Sequence, residues 1–219
     1  ETGSNQWRKY DVWPAKNVQP TTFYLQPDHK LSQKKKGKGY SEYISDPANP
    51  VPYTAATMSG RNNEYMAEDQ RFASKRNDVL WFQTDTLKTP LTVAGKVTAD
   101  LQVSMTGSDA DFIVKLIDVL PDGTQRLVRA EVIRGRFRNS FEKPEALVPG
   151  KISRVRLELP DASHQFLPGH RVMVQVQSTW FPLVDRNPQK FMRIADADEK
   201  DYQKQTIRVY GTSKIELET

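Results

Sequence analysis

"VTADLQVSMT", residues 97–106, alternates without a break. Val97, Ala99, Leu101, Val103 and Met105 share one face, and Thr98, Asp100, Gln102 and Ser104 share the other. A period of two marks a half-buried β-strand, because successive side chains leave the pleated chain on opposite sides. Working outward, "RVRLELP" (154–160) repeats the pattern with Val155, Leu157 and Leu159 inward. "RVMVQVQ" (171–177) does so with Val172, Val174 and Val176, leaving Gln175 and Gln177 on the opposite face, where buried amides need partners. "DFIVKLIDVL" (111–120) is apolar on both faces, as an interior strand of a sandwich would be. Shorter candidates are "TFYLQ" (22–26), "DVLWFQT" (78–84), "RAEVIRGRF" (129–137), "TIRVYG" (206–211) and "SKIELE" (213–218).

Turn chemistry separates these strands. Asp122-Gly123 in "LPDGTQ" predicts a hairpin between 115–119 and 126–132. "LVPGK" and "LPGHR" set Pro-Gly before strands, which suits a turn needing positive φ at glycine. The one helical candidate is "DADEKDYQKQ" (196–205), short and very polar. Many short strands with Gly/Pro turns predict an all-β fold, a jelly-roll β-sandwich, over residues 78–219. Residues 1–77 read as a looser extension of linker and short strands packed on it. Within them, "HKLSQKKKGKGY" (29–40) predicts a solvated hairpin tip between 22–28 and 40–45, and the prolines of "DPANPVP" (46–52) predict extended chain.

Composition bounds the function classes. In 219 residues the hydrophobic share is only 37%, 27% are charged, and mean hydropathy is −0.68. No apolar run of 18 residues exists, so no membrane helix is expected. The opening "ETGSNQWRKYDVWP" shows no signal peptide and reads like the middle of a longer chain. Lys+Arg exceeds Asp+Glu by 32 to 27, but acidic residues are interspersed throughout, so no nucleic-acid partner is expected. The absence of cysteine excludes disulfides, thiol nucleophiles and cysteine-ligated zinc.

Catalytic signatures are also missing. There is no Gly-x-Ser-x-Gly elbow and no phosphate-cradling glycine loop. His164 and His170 flank a Leu-Pro-Gly turn, six apart, which is not the spacing of helical zinc ligands. Asp109, Asp111, Asp118 and Asp122 cluster around one strand without matching a calcium loop. No metal or cofactor is expected, and the pair Asp109/Asp111 is left open. Trp7, Trp13, Trp81 and Trp180 read either as core aromatics or as a sugar-stacking platform.

Longer stretches carry a resemblance. "ETGSNQWRKYDVWP", "DPANPVPY", residues 68–97, "DFIVKLIDVLPDG", residues 133–151 and residues 164–191 occur in order and at matching spacing. Together they resemble the C-terminal domain of the X-Pro dipeptidyl-peptidase/cocaine-esterase (CocE/NonD) superfamily of serine hydrolases. The likeness is nearest to α-amino acid ester hydrolases and glutaryl-7-aminocephalosporanic acid acylases. The resemblance implies a galactose-binding-like jelly roll that packs on an α/β-hydrolase catalytic domain of the same protein. It implies a triad lying upstream, so no catalytic residue carries over to this chain. It implies a periplasmic or extracellular setting and admits a homo-oligomer. It also places the segment after "PVP" beside the substrate pocket, making Tyr53, Met58 and Tyr65 candidate rim residues; the alternative is that these side chains pack on the domain's own sandwich. In "VMVQVQSTWFPLVDRNPQKF" (172–191), Trp180, Phe181, Asp185 and Arg186 become candidate interdomain residues, with 185–188 a turn. The alternative reading is a stand-alone jelly-roll binding module, for example for carbohydrate.

Overall fold

The computed structural model describes residues 1–57, 60 and 62–219. Its strands are β1 (Pro20–Gln26), β2 (Lys30–Ser32), β3 (Tyr40–Ser45), β4 (Leu80–Gln83), β5 (Leu91–Met105), β6 (Asp111–Val119), β7 (Gln125–Arg134), β8 (Ser153–Phe166), β9 (Arg171–Gln177), β10 (Gln205–Tyr210) and β11 (Lys214–Glu218). All eleven strands join in the order β3-β10-β5-β11-β1-β2-β4-β9-β6-β7, with β8 along the other edge of β5. The expected all-β class holds.

The sheet is joined at its middle by one parallel bridge, Lys30 to Gln83. The halves on either side of it share one core. Phe82, Phe112, Val114, Leu116, Val172, Val174 and Val176 come from one half. Val97, Leu101, Val103, Val155, Leu157, Leu159, Ile215 and Leu217 meet them from the other. The inward residues are those the alternation selects, because a period-two chain with one polar face can bury only the other. Between Gly95 and Val97 the β5–β8 register slips, and Pro160 and Asp161 fall outside the ladder. A proline has no N–H for the ladder, so it is tolerated at such an irregularity.

Turns follow the sequence closely. β6 and β7 form the expected hairpin, in which the Asp122 carboxylate accepts from the Thr124 N–H and Gly123 takes φ +85°. Gly150 and Gly169 also sit at positive φ.

Two local expectations are corrected. The lysine run does not tip a hairpin between β1 and β3. Asp28 and His29, both at positive φ, turn the chain back so that β1 pairs with β2 before the lysines are reached. The loop has three residues, 27–29, between the paired Gln26 and Lys30, and Asp and His are among the non-glycine residues that tolerate positive φ. β3 pairs instead with β10, and the lysines lie exposed in the β2–β3 connection. The second correction concerns 196–205, which form no α-helix. Two 3-10 turns, Ile194–Asp196 and Glu199–Asp201, stand there, the second closed by a capping box at Asp198. No apolar stripe is available to hold a longer helix on the body. The four-residue α-helix is elsewhere, at Arg71–Ser74, where Ala73 packs with Val51 and Val79. β1, β2 and β3, all within residues 1–77, are hydrogen-bonded members of the sheet. Among the described residues no helix is long and apolar enough to cross a membrane.

Candidate interdomain site

Every residue of β6 is buried. Phe112, Val114 and Leu116 enter the main core, so Ile113, Lys115 and Ile117 need a second cover on the outer face. Tyr53, Tyr65 and Trp180 pack over Ile113, and Trp81, Leu127 and Met173 pack around Ile117. The cover is fastened where residues 51–53 run alongside 179–181. Phe181 N–H donates to the Val51 carbonyl, Tyr53 N–H to the Phe181 carbonyl and Val51 N–H to the Thr179 hydroxyl. The Tyr53 hydroxyl accepts from the Asn62 N–H at 2.6 Å, and Asn62 in turn caps the 3-10 turn Asn63–Met66. That turn presents Tyr65, whose ring meets Trp180 edge-on at 5.7 Å and Tyr53 at 5.5 Å. Met66 beside it is 58% exposed. Two of the three rim candidates, Tyr53 and Tyr65, thus share one aromatic cluster, while Met58 lies outside the described residues.

Between the two outer clusters sits Lys115, fully buried. Its ammonium donates to the Gln70 Oε1 at 2.9 Å and lies over the rings of Trp180 (5.2 Å) and Phe72 (5.9 Å). No carboxylate among the described residues pairs with it. Burial pushes its pKa down to about 7, with the Glu68 charge pulling weakly the other way. Gln175, directly across the ladder, donates to Gln125 Oε1, and Gln177 donates to the Thr179 carbonyl. The outward amides therefore find acceptors inside a polar layer. The period-two pattern showed that they need partners but could not supply them.

The segment after β9 is tied down by charge. Phe181 is 39% exposed, whereas Trp180 is buried. The Arg134 guanidinium spans Asp111 (3.0 and 3.1 Å) and Asp185 (2.7 Å). Asn187 donates to both Asp109 and Asp111, and Arg136 donates to Asp109 at 2.7 Å. Arg186 stacks over Tyr202 at 4.4 Å and pairs with Glu199. Asp109 and Asp111, left open from sequence, thus hold two guanidinium groups and an amide that pin residues 185–187, while the turn expected at 185–188 falls earlier, at Pro182 and Leu183, where the Val184 N–H donates to the Trp180 carbonyl. Burial pushes the Asp111 carboxyl up to about 6, although Arg134 and Asn187 favour its charged form. Among the described residues no group of three or more His, Cys, Asp or Glu is arranged to hold a metal ion.

His164 and His170 do converge, on a residue that their spacing does not reveal. Asp118, fully buried, lies 2.8 Å from His170 Nδ1 and 3.4 Å from His164 Nε2. The other ring nitrogen of His164 meets the Thr2 hydroxyl at 2.8 Å. Thr2 is also held by backbone bonds to Ser163 and Gln165, so this cluster clamps the N-terminal strap onto β8. The four tryptophans occupy separate settings. Trp7 is fully exposed, Trp13 donates to Asp161, Trp81 stacks on His29, and Trp180 is buried.

These features define a β-domain with a doubly covered central strand, a charge-pinned segment after β9, and an aromatic loop cluster at one side. Residues 1–214 match the X-Pro dipeptidyl-peptidase C-terminal non-catalytic domain, and the chain belongs to that family. It is similar to the cocaine esterase of Rhodococcus sp. (strain MB1 Bresler), 36% identical over 195 residues that make up 84% of this chain and 34% of the esterase. A solved aminopeptidase from a marine sediment archaeon, Thaumarchaeota archaeon, is 44% identical with a TM-score of 0.94, over 99% of this chain and 39% of that one. A selenomethionine-labelled α-amino acid ester hydrolase is 40% identical with a TM-score of 0.93, over the same shares. The chain therefore spans about a third of the esterase and 39% of each of these solved proteins.

Proposed function

We propose that this chain serves a serine hydrolase acting on esters or amides, as its non-catalytic β-domain packed on an α/β-hydrolase domain of the same polypeptide. The observation that carries the reading is the pairing of family and extent. A domain described as non-catalytic covers a third of proteins named esterase, aminopeptidase and ester hydrolase. The parent reaction would pass through an acyl-serine intermediate, with water or an amine as acceptor. The role of this chain is to shape the mouth of the pocket with the 51–70 loop, through Tyr53, Tyr65 and Met58. Its support is that Tyr65 stands partly exposed, packed against the rings of Tyr53 and Trp180. Phe181 and Asp185, both exposed, are the members of the proposed interdomain set placed to contact a neighbouring domain. Trp180 and Arg186 act behind them, fixing their position.

The test is Tyr65→Ala in the full-length protein, assayed over substrates with side chains of increasing size. The ratios of kcat/KM should shift by roughly tenfold, the worth of about a methylene of fit. Unchanged ratios would confine the loop to a structural role.

A further inference from the structure

Beside the aromatic base lies a groove of about 650 Å³. The N-terminal strap bounds it on one side and the turn at 65–67 on the other. Its floor is the outward side of β7 around Leu127 and Ala130, with Trp180 and His164 at its depth. Three features distinguish it from an ordinary surface crease. First, β7 ends the strand order and β8 lies on the far side of β5, so two sheet edges meet at this seam. Each is capped near one end by a short bridge, Thr2 to His164 on β8 and Asp69 to Arg126 on β7, and among the described residues the Arg129 side chain crosses between them to the Asp161 carbonyl. The stretch of edge between these bridges, paired with no strand, invites a partner. Second, the Trp180 indole N–H is buried and has no acceptor among the described residues. A buried donor left unpaired costs about 1–3 kcal/mol, so it calls for an acceptor from outside. Third, the rim is both apolar and cationic. Met66 is exposed, and Arg126 makes no ion pair among the described residues.

We propose that this groove receives a segment of the hydrolase domain of the same polypeptide. The segment brings an apolar side chain over Met66 and Leu127, a carbonyl or carboxylate acceptor for Trp180, and an acidic residue opposite Arg126. The occupant is a tethered domain rather than a second copy, because relatives carry more than one and a half times this chain's length in further polypeptide. Tethering raises the effective concentration to the millimolar range, so a groove of modest size is enough. The inference rests on the reading given under Proposed function and adds where the two domains meet.

The experiment places a photo-crosslinking benzoylphenylalanine singly at Met66, Arg126, Phe181 or Lys36 of the full-length protein. Irradiated samples are digested and the linked peptides identified by mass spectrometry. Links from Met66 and Arg126 to peptides outside these 219 residues, with none from Lys36, are expected. Links to a second copy, or equal yields from Lys36, overturn the proposal. Links from Phe181 alone refute the groove and leave the interdomain reading standing. No link beyond the chain from any position removes both.

Discussion

Lys115→Met reads the energetics of the outer layer directly. The lysine is fully buried, and its pKa falls from 10.5 to about 7. Between those values the unfolded chain carries a proton that the folded chain does not. Stability therefore rises with pH across that window and is lowest, as far as this group is concerned, below pH 7. At about 1.36 kcal/mol per pH unit, the protonated side chain costs the fold roughly 5 kcal/mol at pH 6. Methionine has a similar length and no charge to desolvate, but it leaves Gln70 Oε1 without its donor, worth about 1–3 kcal/mol. The variant should then be more stable than wild type by roughly 2–4 kcal/mol at pH 6. The gain should shrink as pH rises and reverse between about pH 8 and 10, where the neutral amine keeps its hydrogen bond. Urea unfolding of both proteins at a series of pH values from 6 to 10 measures the difference. A difference independent of pH would mean that the lysine titrates alike folded and unfolded, and the account of the buried polar layer would fall.

Two further expectations concern the sheet and its surface. Val174→Asp puts a charge into the core between the two halves, where Val174 pairs with Phe82 and Leu116, and should lower stability by more than ~3 kcal/mol. An unchanged melting temperature would refute the register of β9. Replacing Lys34, Lys35 and Lys36 with serine should change stability by less than ~0.5 kcal/mol, since all three are exposed in the β2–β3 connection. A large loss in urea unfolding, or a steeply salt-dependent polyanion affinity that disappears with them, would assign that loop a role.

What could be read locally was read well. The alternation at 97–105, 155–159 and 172–176 selects the same inward residues that fill the core, and Asp122-Gly123 closes the hairpin it predicts. The candidate site was legible in part. Tyr53, Tyr65 and Trp180 were singled out separately, and the fold joins them in one cluster. Lys115 was not singled out, because one lysine in "DFIVKLIDVL" is as compatible with a solvent-facing strand position as with a buried one. A sharper signal lay in the same stretch: if both faces are apolar, the lysine among them must be covered too.

The sequence by itself determined the β class, the side on which each residue of the alternating strands lies, and the turns marked by glycine. All three are set within a few residues by pleat geometry and by the φ preferences of glycine and of Asp-Gly pairs. Only the tertiary structure decided that β3 joins β10 rather than β1, that β1 joins β11 across nearly the whole chain, and that Asp118 gathers two histidines. It alone decided that a loop, rather than water, lies over Lys115, Gln175 and Gln177. Those choices depend on which distant surfaces exclude water together. A periodic pattern marks a face for burial without naming what will cover it.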